Sequence, residues 1–290
     1  MTIKEAYRLG LRLLTLAECN SKLEVRLLLQ HILEIDEVTF LSNHNISLAN
    51  TQIKKLYSLI KLRNTGYPLA YIVGYKYFWQ DKFIVTKGVL IPRAETEILI
   101  EAVLKTWQDK LKDNTNKIIN ILDIGVGSGC ILLSLVKEIP NAFGVGVDIS
   151  KKALMVAKLN AKALNIEPQR IALLQQSLFN ALKPNNNFDI IVSNPPYIAY
   201  NDVLIAKEVK KFEPKIALFA KNKGLYFYKE ILKNAAKYLS NIGSLFLEVG
   251  IFQKEQIIAL SKSSESEMCF NKSFKDYLGI DRVLLFTKKP

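Results

Sequence analysis

Apolar positions in the first quarter of the chain recur at helical spacing. Leu9, Leu13, Leu14 and Leu16 make one face, and Leu27, Leu28, Ile32 and Leu33 make another. Ser21 followed by Glu24 reads as a capping box for the second helix. Residues 51–63 repeat the pattern with Ile53, Leu56, Leu59 and Ile60, Gly66 is a plausible stop, and Pro68 can open one more short helix. Residues 1–74 are therefore expected to form a small helical domain. From Tyr75 the texture becomes aromatic and β-branched (YKYFWQDKFIVTKGVLI), which predicts a β-hairpin connector over residues 75–92. Its aromatics, Tyr75, Tyr77, Phe78 and Trp79 together with Tyr71, suit packing between domains better than base stacking. Glu95 and Glu97 then stand where the first turn of a helix favours acids, and Ile98, Leu99, Ala102 and Val103 continue its apolar face.

From residue 118 onward short apolar runs alternate with amphipathic ones. Strands are predicted at 118–124, 143–148, 171–174, 188–193, 244–249 and 281–286, with helices at about 130–138, 151–164 and 225–239. Such alternation predicts a mostly parallel sheet covered on both faces. The fold class is α/β: a doubly wound, Rossmann-like domain over residues 93–290, preceded by the helical bundle and the hairpin connector.

Composition narrows the classes. The 290 residues are 49% hydrophobic and 23% charged, which excludes disordered and collagen-like chains. No run approaches the ~20 apolar residues of a membrane span. The charged residues among the first leucines, Glu5, Arg8 and Arg12, do not suit a secretion signal. Cys19, Cys130 and Cys269 have no C-x-x-C spacing and read as free thiols in a reducing cytoplasm. His31 and His44 stand thirteen residues apart, so no metal site is expected. The net charge is +13, but residues 1–75 carry only nine basic against six acidic side chains. A diffuse excess of this kind is a weak argument for a nucleic-acid or acidic partner. The lysine-rich stretch from Lys207 to Lys223 suits a solvated face better than a docking surface.

Two segments carry candidate chemistry. The first predicted strand runs into Asp123-Ile124-Gly125-Val126-Gly127-Ser128-Gly129, and the second closes on Asp148. Glycines there let the backbone turn tightly and approach a ligand. The G-x-G-x-G spacing differs from the dinucleotide fingerprint. With Asp148 placed to accept from both hydroxyls of a ribose, the set suits S-adenosylmethionine, which has no pyrophosphate but offers an ammonium and a ribose. A structural tight turn is the plainer alternative. The sharper signal is Asn194-Pro195-Pro196-Tyr197, directly after FDIIVS. Two prolines stiffen the turn. Asn194 and the Pro195 carbonyl then become two fixed acceptors beside the flat face of Tyr197. That arrangement suits a planar NH₂ group, whose two hydrogens are held while its nitrogen takes a methyl group. A merely rigid turn is the alternative here.

These residues resemble the HemK/PrmC family of glutamine methyltransferases that modify peptide-chain release factors. The resemblance spans nearly the whole chain through GVLIPRAETEILIE at 88–101, DIGVGSG at 123–129, Asp148, SNPPYI at 193–198, EPKIALFAKNKGLYFYKEIL at 213–232, LEVGIFQ at 247–253 and DYLGIDRV at 276–283. It implies an S-adenosylmethionine-dependent methyltransferase domain, with Asp123, Gly125, Val126, Gly127, Ser128, Gly129 and Asp148 at the cofactor. It implies that Asn194, Pro195, Pro196 and Tyr197 hold the glutamine of the factor's Gly-Gly-Gln motif, with Asn194 also beside the cofactor. The helical domain is implied to recognise the release factor, with no nucleic-acid substrate and no membrane. The chain departs from the family in three places. Val126 stands where Thr is usual, Ala94 where Pro is usual, and Ser177 where an acid is common, followed by Leu178, so the adenine contact expected of Ser177 and Leu178 is weakened or passes to the backbone. Adenine-N6 methylation of nucleic acid and a non-catalytic cofactor-binding scaffold associated with RNA are the rival readings.

Overall fold

Thr2 opens the first helix, α1 (Ile3–Leu13), by a reciprocal cap. The Glu5 N–H donates to the Thr2 hydroxyl at 3.3 Å, and the Thr2 N–H donates to the Glu5 carboxylate at 2.8 Å. The computed structural model describes the chain apart from residues 17–18, 114–116, 181, 185–187 and 204 and the side chains of 110–113. Four further helices follow α1: α2 (Ser21–Leu33), α3 (Glu37–Ser42), α4 (Asn50–Asn64) and α5 (Leu69–Val73). The capping box expected of Ser21 and Glu24 does not form. Asn20, one position earlier, caps α2 by accepting from the Leu23 N–H at 3.2 Å, which makes Ser21 the first helical residue. Glu24 is thereby released to accept two bonds from the Arg63 guanidinium, at 2.6 and 2.9 Å.

The helices close over Ile3, Ala6, Val25, Leu28, Leu56 and Ile60. Gly10 lets α1 and α2 approach closely, since a Cβ there would lie 2.5 Å from the Val25 Cγ1. By internal contacts this unit comprises residues 1–75 together with the distant segment 206–212. Tyr67 meets Phe212 of that segment edge-on, with ring centroids 5.2 Å apart.

The second unit comprises residues 76–205 and 213–290, so residues 76–92 go with the α/β part of the chain. Strands β1 (Tyr75–Phe78) and β2 (Asp81–Ile84) form the hairpin, and Trp79 at its turn has φ 54°. Its backbone and its ring are each held: the Trp79 N–H donates to Glu97 at 2.7 Å and the indole N–H to Glu138 at 2.6 Å. Phe78 and Phe83 are buried in the α/β core.

A 3₁₀ turn (Ala94–Thr96) leads into α6 (Glu97–Asp113). There follow β3 (Ile119–Ile124), α7 (Cys130–Glu138), β4 (Ala142–Asp148), α8 (Lys151–Ala163), β5 (Ile171–Gln175) and β6 (Phe188–Ser193). Short elements β7 (Ile198–Ala199), α9 (Lys207–Phe212), α10 (Lys215–Leu218) and β8 (Phe219–Ala220) precede α11 (Tyr226–Asn234), β9 (Leu239–Glu248), α12 (Lys254–Ser261), β10 (Met268–Lys275) and β11 (Asp281–Lys288).

The main sheet of the described residues has the order β5-β4-β3-β6-β9-β11-β10. Neighbours from β5 to β9 pair in parallel, and β11 runs antiparallel to both β9 and β10. Strand alternation divides the core in two. Ile121, Ile190, Val192 and Phe246 face α6, α7 and α8, whereas Leu122, Ile191, Leu245 and Leu247 face α11 and α12. Burial on both faces explains why FDIIVS shows no apolar/polar alternation: all six positions are buried, including Asp189, whose carboxylate accepts from the Asn120 N–H.

Candidate active site

Strand order reverses between β3 and β6, which makes their carboxyl ends the switch point of the sheet. The Ser193 hydroxyl ties the two ends together, donating to the Ile124 carbonyl at 2.7 Å. At this edge lies a cleft of about 320 Å³, lined by residues 88–93, 124–128, 147–150, 176–178 and 194–196 among others. The structure thus brings Gly125, Val126, Gly127, Ser128, Asp148, Ser177, Leu178, Asn194, Pro195 and Pro196 to one cavity. Asp123, Gly129 and Tyr197 do not line it.

The glycine loop is pinned to β4. Both the Gly125 and the Val126 N–H donate to the Val147 carbonyl, at 2.8 and 3.0 Å. Gly125 has φ 81° and an exposed backbone, and a Cβ there would meet nothing within 4 Å, so the bare edge faces open cleft. Gly129 is needed for a different reason: at φ 84° its Cβ would crowd Leu133 at 2.9 Å. The Asp148 carboxylate accepts from the Gly127 N–H at 2.9 Å and from the Ser150 N–H at 2.8 Å. Those bonds orient it and leave a lone pair on each oxygen. Burial raises its pKa above the ordinary carboxylate value, and the N–H donors oppose that shift.

Asp123 sits beneath the loop, fully buried, with no hydrogen-bond partner for either carboxyl oxygen. Burial pushes its pKa up to about 8. A buried acid without a partner beside a ligand-sized cleft is a site for a cation or a hydrogen-bond donor.

Sequence reasoning missed Asn160. Asn160, buried in α8, donates to the Ser128 carbonyl at 2.8 Å and to the Ile84 carbonyl at 3.0 Å, and accepts from the Ile84 N–H at 2.6 Å. It fixes the glycine loop to the hairpin. An asparagine within an amphipathic helix carries no spacing signature that would have revealed this. Gln176, also missed, is buried and lines the cleft beside the exposed Ser177, while Leu178 holds φ 49°.

Asn194 and Pro195 open onto the cleft directly after β6, and the Asn194 side-chain N–H donates to the Thr96 hydroxyl at 3.2 Å. Tyr197 is half-buried behind them. Burial raises the pKa of its phenol, so it stays neutral, and its carbonyl accepts from the Gln253 side chain at 2.9 Å. The opposite wall is clasped: Arg93 donates to Glu213, whose other oxygen accepts from the Ile91 N–H at 3.1 Å. Among the described residues no cluster of side chains suits a metal ion, and no helix is long and apolar enough to cross a membrane.

Comparison with known proteins agrees with this architecture. Residues 5–74 match the PrmC N-terminal domain and residues 96–211 the methyltransferase small domain. The catalytic domain of hMettl16, solved with a 3'UTR hairpin, shares the fold at 16% identity and a TM-score of 0.50, over 71% of this chain and 74% of that one. A bifunctional methyltransferase of Rickettsia conorii is 35% identical over 92% of this chain and 54% of its own length. The chain thus spans about half the length of such relatives. A release factor glutamine methyltransferase of Buchnera aphidicola is 37% identical over 94% of this chain and 95% of its own. One of Thermodesulfovibrio yellowstonii is 39% identical over 91% and 92%. Likeness of that degree, end to end with these relatives, makes the chain a member of the release factor glutamine methyltransferase family.

Proposed function

We propose that the chain transfers a methyl group from S-adenosylmethionine to the side-chain amide nitrogen of the glutamine in the Gly-Gly-Gln motif of peptide chain release factors. The observation that carries this reading is the placement of Asn194 and Pro195 on the same cleft as Asp148 and the bare Gly125 edge. The cofactor fits the residues present. Asp148 has lone pairs left for the ribose hydroxyls, and Gly125 and Gly127 give close backbone approach. When bound, S-adenosylmethionine supplies a sulfonium methyl group: the amide nitrogen forms the new N–C bond, the C–S electrons return to sulfur, and one N–H proton leaves.

The amide nitrogen is a weak nucleophile because its lone pair is delocalised. Asn194 Oδ1 and the Pro195 carbonyl accept its two hydrogens, which fixes the lone pair in line with the methyl group and stabilises the positive charge that develops on nitrogen. Tyr197 supplies a flat wall. The helical unit of residues 1–75 recognises the release factor, because a lone glutamine offers little surface and contacts remote from the chemistry must position it. The net +3 of residues 1–75 does not suit a duplex-binding region.

The test is transfer of labelled methyl from S-adenosylmethionine to purified release factor, bulk protein and DNA side by side. The reading requires label in the release factor. Asn194→Ala should lower turnover by about 10²–10³ with cofactor affinity retained, and Asp148→Ala should cost about 1.5–3 kcal/mol of cofactor affinity. Label only in DNA would overturn the reading.

A further inference from the structure

Glu248 ends β9 one residue beyond the Ser193–Leu247 pair of the β6–β9 ladder, which sets it beside Asn194. Its side chain is 3% exposed, and Oε2 has no hydrogen-bond partner. The Thr96 and Asn194 side chains both favour its charged form, and the Asn194 amide donates to the Thr96 hydroxyl at 3.2 Å. Its backbone is fixed on two sides, since the Tyr228 hydroxyl donates to the Glu248 carbonyl at 2.9 Å and the next N–H donates to the Arg282 carbonyl at 2.8 Å. A buried carboxyl is costly, and this one serves no ion pair among the described salt bridges.

We infer that Glu248, with Thr96, is a positioning residue that holds the Asn194 amide in the one orientation that presents Oδ1 to the substrate. An asparagine amide is nearly isosteric with its flipped form. Flipped, it would turn NH₂ toward the NH₂ of the glutamine and lose the acceptor. Thr96 cannot prevent this, because a hydroxyl both donates and accepts. An ionised carboxylate only accepts, so it admits the NH₂ side alone. Its charge behind the NH₂ also draws the amide toward its polar resonance form and makes Oδ1 a stronger acceptor where positive charge develops. The inference rests on the proposed reaction but names a residue outside the cleft lining.

Orientation by charge has a pH signature. Burial pushes the Glu248 pKa up to about 7. The groups facing it are Arg282 of β11, which favours the carboxylate, and Glu95 ahead of α6, which opposes it. Tyr197, Tyr228 and Cys130 also feel its charge, and burial keeps all three neutral. Protonated Glu248 can donate to Oδ1 and stabilise the wrong orientation, so kcat should rise as pH passes through about 7.

The experiment measures kcat, KM for release factor and cofactor affinity from pH 6 to 9 for wild type, Glu248→Gln and Thr96→Val, each checked for its thermal transition. For Glu248→Gln we expect kcat to fall by about 10–100-fold above pH 8, with KM and cofactor affinity within about twofold and the acid limb gone. Thr96→Val should lower kcat less and keep the limb. The wild-type profile stands as a test even if Glu248→Gln does not fold. Wild-type transfer with no rise in kcat between pH 6 and 8, or a folded Glu248→Gln with wild-type kcat, would overturn the role of Glu248 alone. Absence of methyl transfer by wild type would overturn the functional reading and this inference with it.

Discussion

The side-chain amide of Gln253 donates to the carbonyl of Tyr197 at 2.9 Å. Its other end accepts from the Gly250 N–H at 3.2 Å, so one side chain couples the turn after β9 to the Asn-Pro-Pro-Tyr loop. Gln253→Ala leaves the Tyr197 carbonyl without this donor. We expect a loss of about 1 kcal/mol in stability and about a tenfold fall in kcat with cofactor affinity unchanged. Denaturant unfolding and steady-state kinetics check both.

Gly224 approaches the same loop from the other side. It has φ +89°, and a Cβ there would lie 2.0 Å from the Tyr197 carbonyl oxygen. Gly224→Ala combines left-handed strain with a collision against backbone, so one of the two segments must move. A loss of at least about 2 kcal/mol is expected, together with lost turnover. A thermal scan showing wild-type stability would contradict this packing.

Asn160 satisfies three backbone groups at once. Asn160→Leu keeps the volume but strands the Ser128 carbonyl and both polar groups of Ile84. Each buried group left unpaired costs about 1–3 kcal/mol. We expect a stability loss of about 3 kcal/mol and weaker S-adenosylmethionine binding by calorimetry, because Ser128 belongs to the glycine loop.

Asp123 sets a pH dependence. Its folded pKa is raised by burial from 3.8 to about 8, so between those values the folded chain holds a proton that the unfolded chain has released. Stability from this group is complete below about pH 4, falls as pH rises, and levels off above about pH 8. Asp123→Asn removes that slope. Relative to the variant, wild type should lose on the order of 5 kcal/mol across the window, read by urea unfolding at several pH values without cofactor.

Much of this architecture was legible in the chain because parallel strands buried on both faces leave short, mostly apolar runs between turn residues. The sequence pattern bounds residues 188–193 as the structure has them and ends at 174 where β5 runs one residue further to Gln175. Strand β9 begins at Leu239, well before the expected 244, because its first half is polar and pairs irregularly with β6. The edge strand β10 was not read at all: of Met-Cys-Phe-Asn-Lys-Ser-Phe-Lys only Met268 is buried, so no hydrophobic period marks it. The association of residues 206–212 with the helical unit depends on Tyr67 meeting Phe212, and the capping of α2 on a choice between adjacent Asn20 and Ser21. At the site, glycines, prolines and acids announce themselves because few other residues tolerate those positions. Asn160, Gln176 and Thr96 act through partners far away in sequence, and nothing local distinguishes them.

The most direct test of the account is to locate the methyl group. Release factor incubated with the enzyme and S-adenosylmethionine is digested and fragmented by tandem mass spectrometry, with Asn194→Ala as the control. The account predicts one methyl group on the side-chain nitrogen of the Gly-Gly-Gln glutamine with wild type and almost none with Asn194→Ala. A methyl group on any other residue, or equal modification by the two enzymes, would contradict it.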